Sequence, residues 1–413
     1  MNDQRIKIYM VPIVILFFLH RLNLGTATTM TMVTLNEALP EASCLSGAPM
    51  IYYYELQPGA MQWIIYLRGG GWCYDQSDCE ERSLGGHGTS TGYQSNIPPP
   101  DGLDTGILSD NSVQNPHFYN WNKIFLPYFD GGSFASDNPT PQGSFPIYYR
   151  GLSNFLAVIQ DLIDNRGMDD ATHILLTGCS AGGLATLFHC DRLAEIMQPY
   201  DTIVKCMSDA GFFNDVLSYV AGSSVLQTEF TNVFTEQQLR NGVNQACIAA
   251  NPDNDEWKCM FPEYFISYIE TPIFLLNSVY DSWQIPNVWL TSGVGQNQGP
   301  SSLPWSPCCY SNFPNNCTPN LMQILSSYAN ATLNDTRPAW LNNGPLPNVG
   351  TFITTCFIHC MTAGVESGGL WPEGNEISGI SISQAIYNWF FDLQEVCMCM
   401  DLYMCCFFMF FYI

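Results

Sequence analysis

The sequence predicts an α/β fold with a mostly parallel central sheet, flanked by helices and interrupted by long loop insertions. Three observations predict it. Short apolar runs recur along the chain, and they are continuous rather than alternating, as strands buried on both faces require. Helical patterns lie between them. Most of the runs end in a glycine, a proline or a residue with chemistry to offer, at the place where ligands bind in such sheets.

In order, Trp63 to Leu67 runs into Arg68-Gly69-Gly70-Gly71, and Lys123 to Leu126 runs into Pro127. Ile174 to Thr177 meets Gly178, Ile203 to Met207 meets Ser208-Asp209, and Ile273 to Asn277 approaches Asp281. Leu152, Phe155, Leu156, Ile159, Leu162 and Ile163 repeat at helical spacing before the 174 strand. Leu184, Leu187, Phe188, Leu193 and Ile196 do so after Ser180. Strands alternating with helices imply right-handed crossovers. The chain has 413 residues, 46% of them hydrophobic, enough for one large core. No repeat or Pro/Ser linker divides it. The stretches from Gln94 to Pro116 and from Ser292 to Pro319 are rich in Pro, Gly, Asn and Ser, and read as surface loops inserted in that domain.

The ends and the composition speak to location. Arg5 and Lys7 precede an apolar run from Ile8 to Leu19, and Gly25-Thr26-Ala27 offers small residues for cleavage. That is the layout of a signal peptide over residues 1–27, and the run is short for a membrane span. Residues 28–396 then form the domain, and 397–413 a Cys-rich apolar tail. The sequence leaves open whether that tail is an anchor remnant, a packed strand or an erroneous chain end. Seventeen cysteines without a C-x-x-C pair point to disulfides rather than zinc, and so to a secreted protein or an acidic endomembrane compartment. Asn316, Asn330 and Asn334 each open an N-glycosylation triplet, clustered as in a surface loop. The formal net charge of −24 excludes nucleic acid as a partner, because binding it needs clustered Lys and Arg. No cofactor and no metal is expected, and the chain is expected to act as a monomer.

Gly178-Cys179-Ser180-Ala181-Gly182 is a G-x-S-x-G between an apolar strand and a helical run. In that setting it reads as a nucleophile elbow, with Ser180 exposed on a sharp turn above a helix N-terminus, as in α/β-hydrolases. An unassisted serine is a weak nucleophile and needs a base. Of the six histidines, only His359 lies downstream with room for an acid between. Asp281 follows a core strand and is the favoured acid; Asp209, also at a strand end, is the alternative. The acid would orient His359 and stabilise its imidazolium. Arg68-Gly69-Gly70-Gly71-Trp72 has the form of an oxyanion loop, with the N–H groups of Gly70, Gly71 and Ala181 as donors.

These segments resemble the pectin acetylesterase family, which includes the Notum carboxylesterases. The matches are Leu67-Arg68-Gly69-Gly70-Gly71-Trp72-Cys73, Gly178 to Ala185, His189-Cys190-Asp191, Val204 to Phe213, Tyr280 to Ile285, and Cys356 to Cys360. They run in order from Cys44 to about Cys397, and the wording is closer to the plant-type enzymes. The resemblance implies a serine hydrolase of carboxylic esters and supports Ser180, Asp281 and His359. It also implies disulfides, with Cys73–Cys79 and Cys190–Cys206 as candidate pairs and Cys179 as a buried free thiol. Arg68 stands where the family usually has Glu, a charge reversal that would be costly if buried unless its partners changed too. Two activities compete: removal of O-acetyl groups from pectin-like polysaccharide, and Notum-like deacylation of lipid-modified protein. A third reading is an inactive glycan-binding relative. The polar insertions favour a groove for sugar rings, with Trp283, Trp289 or Trp305 as stacking platforms.

Overall fold

The computed structural model describes residues 29–35, 42–140, 145–294, 319–336, 349–364, 369–371, 376–394 and 396–399. The expected signal peptide, Asn316, Trp305, most of the Ser292 to Pro319 insertion and the tail from residue 400 lie outside the described residues.

The strands are β1 (Thr31–Thr34), β2 (Ile51–Glu55), β3 (Gln62–Leu67), β4 (Asn122–Leu126), β5 (His173–Cys179), β6 (Ile203–Asp209), β7 (Ile273–Ser278), β8 (Val349–Thr354), β9 (Glu376–Ile377), β10 (Ile380–Ser381) and β11 (Cys397–Cys399). The helices are α1 (Gln76–Ser83), α2 (Gly151–Arg166), α3 (Ala181–Met197), α4 (Val225–Glu236), α5 (Gln245–Ala250), α6 (Pro262–Phe265), α7 (Pro319–Thr336) and α8 (Ile382–Phe390). Nine strands form one sheet in the order β1-β2-β4-β3-β5-β6-β7-β8-β11. From β4 to β11 every pairing is parallel; β2 pairs antiparallel with β1 and β4. The first residues of the expected tail thus extend the sheet edge. The central strands are buried almost throughout, as the continuous apolar runs predict. Each fully buried Leu, Ile or Phe there contributes about 1.5–3 kcal/mol.

The two expected helices flank β5. α2 ends at Gly167, whose φ of 78° gives the left-handed cap that glycine adopts without strain. α3 follows Ser180 directly and lies against β3, β5 and β6. It can sit so close because Gly178, Gly182 and Gly183 leave no room for a Cβ: each would collide with the backbone of Leu67, Asp209 or α3 itself.

Two loop expectations need correction. The insertion from Gln94 to Pro116 has no helix or strand, but Ile107 and Leu108 are fully buried. The Asn115 amide donates to the carbonyls of Ile107 and Ser109 and holds that turn inward. Asn330 and Asn334 lie in helix α7 and not in a loop. Spaced four apart they share its exposed face, while Leu321, Leu325 and Tyr328 bury the other.

Candidate active site

Ser180 stands between β5 and α3 with φ 61° and ψ −128°, a strained backbone for a residue with a side chain. Its own N–H donates to the Asp209 carbonyl at the end of β6, 2.9 Å away, and so is committed to the fold. Ala181, the first residue of α3, has no earlier turn to receive its N–H, and the helix dipole points the same way.

The glycine loop comes over Ser180 from β3. A Cβ on Gly69 would strike Ser180 and the Cys179 carbonyl, so only glycine fits there. Gly70 and Gly71 have φ of 149° and 66°. Among the described residues neither of their N–H groups has an acceptor, whereas those of Arg68 and Cys73 bond to Leu126 and Gly131. The Tyr128 hydroxyl donates to the Gly71 carbonyl at 2.8 Å and accepts from the Ser133 N–H at 2.9 Å, which fixes the loop. The glycine loop thus lies against Ser180 through Gly69, and Ala181 is the next residue in the chain.

Asp281 is fully buried and paired. One carboxylate oxygen meets His359 Nδ1 at 2.8 Å; the other accepts the N–H groups of Trp283 and Gln284 at 2.9 and 2.8 Å. Gln284, which sequence reasoning left without a role, pins this turn by donating to the Phe212 carbonyl and accepting from the Asn214 N–H. Its signal was its place in the Asp-Ser-Trp-Gln segment. Burial by itself would lower the pKa of His359, but the Asp281 charge and hydrogen bond, with Asp209 behind, outweigh it and raise it. Nε2, the ring's other nitrogen, is buried and has no partner among the described residues.

Asp209 does different work. Its oxygens accept the N–H groups of Met361 and Thr362 at 2.8–3.0 Å and the Thr362 hydroxyl at 2.7 Å. It anchors the loop beyond His359, and burial pushes its pKa up to about 6. The other described histidines have settled surroundings. His189 is buried, stacks on Phe155, bonds to the Phe134 carbonyl and meets Arg192. His117 stacks on Tyr387. His173 opens β5. His87 lies against Gly70, held neutral to about pH 4 by burial and by Arg68 and Arg82.

Four disulfides join Cys73–Cys79, Cys179–Cys360, Cys190–Cys206 and Cys247–Cys259 among the described residues. Two match the expected pairs. The expectation of a free thiol at Cys179 is overturned: its partner is 181 residues away, beyond the reach of local spacing. Cys44 is a buried thiol, and burial pushes its pKa up to about 12. Cys179, His359 and Cys360 bring three ligand-type atoms within 4.8 Å of one another. With the sulfurs bonded together, that group offers a metal one imidazole and no thiolate.

Arg68 is paired with an acidic side chain. Its guanidinium meets both Asp101 oxygens, at 2.8 and 3.1 Å, and the Tyr93 hydroxyl at 3.0 Å. Of the expected stacking platforms, Trp283 lies 6.1 Å from the His359 ring, near parallel at 29°. Trp289 instead packs on Tyr219 and Tyr328.

Comparison with known proteins places the chain in a family. The pectinacetylesterase family model matches residues 24–407. Pectin acetylesterase 5 of Arabidopsis thaliana is 31% identical over 363 residues, covering 86% of this chain and 78% of that protein. Pectin acetylesterase 11 of the same plant is 32% identical, covering 85% and 84%. The palmitoleoyl-protein carboxylesterase NOTUM of Mus musculus is 27% identical over 60% of this chain and half of that protein. The solved structure of the Wnt deacylase Notum from Drosophila superposes with a TM-score of 0.71 at 20% identity, covering 88% of this chain and 93% of that one. The chain belongs to the pectinacetylesterase family and is a serine carboxylic-ester hydrolase.

Proposed function

We propose that this protein is a secreted esterase that removes O-acetyl groups from a pectin-like polysaccharide, with Ser180, His359 and Asp281 as its catalytic triad. Ser180 Oγ attacks the acetyl carbonyl while His359 Nε2 takes its proton. Asp281 holds the imidazole by Nδ1 and stabilises its positive charge. The oxyanion falls to the N–H groups of Gly70, Gly71 and Ala181, each worth roughly two to three orders of magnitude in rate. The tetrahedral intermediate then collapses: the ester C–O bond breaks, His359 gives its proton to the departing sugar oxygen, which leaves as a hydroxyl, and the acetyl group stays on Ser180 Oγ. Water, activated by the same histidine, then frees acetate from Ser180. The observation that carries the reading is the buried Asp281–His359 pair at 2.8 Å, with Nε2 left unpartnered. The signal-type N-terminus and the disulfides support secretion.

An aromatic cluster that reaches the His359 ring through Trp283 supports acetyl over a long acyl chain. Trp72, which follows the glycine loop, packs edge to face on Phe213, Phe230 and Trp283, with centroids 4.7–5.8 Å apart. Rings that fill one another's space leave a two-carbon acyl group better served than a long one, which must gain about 0.8 kcal/mol per buried CH₂. The fold shared with Notum keeps lipid deacylation as the second reading. The test is an ester series on purified protein. We expect kcat/KM to fall steeply from acetyl to octanoyl, acetate release from acetylated pectin, and loss of turnover in Ser180→Ala. Faster turnover of octanoyl esters with no acetate from pectin would establish the Notum-like reading instead.

A further inference from the structure

The histidine has to be brought to the serine from a distance. Ser180 sits at the end of β5, whereas His359 follows β8, three positions along the sheet. At roughly 4.8 Å per strand, the loop after β8 must reach back about 14 Å. The strand ends it crosses hold it in turn. At β7, the Val279 N–H donates to the Thr354 carbonyl at 3.0 Å and the Ser278 hydroxyl to the Cys356 carbonyl. Beyond β7, the Ser282 N–H donates to the Ile358 carbonyl at 3.3 Å, and Asp281 takes the His359 ring. At β6, Asp209 takes the N–H groups of Met361 and Thr362. None of these reaches β5. Among the described residues, the direct link from the loop to the nucleophile's strand is the Cys179–Cys360 bond.

Its placement is specific. Cys179 immediately precedes Ser180, and Cys360 immediately follows His359. The two cysteine Cα atoms are 5.6 Å apart, so the backbones carrying the two groups are fixed at that spacing. Both Ser180 and Cys360 have φ of 61°, a left-handed conformation that a side chain resists and that the surrounding structure must impose. Cys179 is buried, while Cys360 is partly open to solvent, so a reductant has an approach.

We propose that the Cys179–Cys360 disulfide is a positioning element for ester hydrolysis, setting the separation of Ser180 and His359, and that reducing it lowers activity in a protein that stays folded. This rests on the triad reading above. Reduction by a dithiol passes two electrons and two protons to the bridge. The S–S bond breaks, Cys179 and Cys360 become thiols, and the dithiol closes to its own disulfide. The loop then keeps its hydrogen bonds to β6 and β7 but loses its hold on β5. Misplacement by about 1 Å can cost on the order of 100-fold in rate.

The test compares Cys179→Ala/Cys360→Ala with Cys247→Ala/Cys259→Ala, whose bridge lies outside the site, measuring kcat, KM, the pH profile and near-UV circular dichroism. We expect kcat of the first variant to fall about 10- to 100-fold, with KM within about twofold and an altered acid limb. The second variant should keep the wild-type profile. A folded first variant with wild-type kcat and pH profile would overturn the proposal. Should that variant not fold, wild-type enzyme is titrated with dithiothreitol. Activity is read first, and the thiols are then alkylated and mapped by mass spectrometry. Loss of activity should track the appearance of free Cys179 and Cys360 and reverse on reoxidation; full activity with both thiols free would overturn the proposal. Ser180→Ala keeps the bridge and tests the triad separately. An inactive Ser180→Ala beside a fully active bridge variant leaves the triad standing and removes the bridge's role.

Discussion

Asp281 and Asp209 show how far single residues could be read. Asp209 ends β6 and Asp281 follows β7, both between Ser180 and His359, and sequence preferred Asp281, which the family resemblance also supports. The structure separates them by partner: Asp281 faces an imidazole, while Asp209 faces two backbone amides and a hydroxyl. No spacing rule carries that distinction, because it depends on how a loop 152 residues further on is folded. The chemistry of His359 gives a pH prediction. Only the neutral imidazole can accept a proton, and Asp281 raises the pKa of His359 above the ordinary 6.5. We expect kcat/KM to fall as pH drops, with a midpoint above 6.5. Asp281→Asn should move that midpoint down and lower kcat by about 10⁴-fold. An acid limb unchanged in Asp281→Asn would show that another group titrates.

At the level of elements, β3 to β7 were legible because strands buried on both faces must be continuously apolar. β1 and β2 were not: β1 is a Thr-rich edge strand, and β2, though largely buried, is built on three tyrosines whose hydroxyls interrupt an apolar run. α7 was hidden by its Asn, Ser and Thr residues, which read as loop until the burial of Leu321, Leu325 and Tyr328 reveals one apolar face. The glycine loop was legible as a motif, but not its tether. Arg68 joins it to Asp101, and from that same insertion the Ile107 N–H donates to the Thr362 carbonyl in the histidine loop. The insertion therefore straps two parts of the site together. Arg68→Glu and Asp101→Arg should each lower kcat/KM by up to about fivefold, as loss of a partly exposed ion pair worth about 1 kcal/mol implies. Combining them should restore most of it. Additive losses in the double variant would exclude a paired role.

Across the molecule, the protonation of buried groups sets a pH dependence of stability. Burial, with Asp335 and Asp215 nearby, pushes Glu263 up to about 8. A carboxyl raised in the folded state favours folding while protonated, and that contribution is lost as pH rises through its folded pKa. His359, also raised, acts in the same direction above 6.5. Below 6.5 the lowered His87, His117, His173 and His189 work against folding, since the unfolded chain protonates them first. The unfolding temperature at fixed scan rate should therefore be higher at pH 6.5 than at pH 8.5, and Glu263→Gln should narrow the gap. An equal or higher value at pH 8.5 would contradict this account. The Cys179–Cys360 bond also has a mechanical consequence. It closes 181 residues of backbone into a covalent ring, with the Cys190–Cys206 and Cys247–Cys259 rings nested inside. Pulled by its two ends, the oxidised chain transmits force through the sulfur bridge. The ring then carries no tension; cutting that one bond releases about 500 Å of contour length, while the two nested rings keep their own 16 and 12 residues hidden.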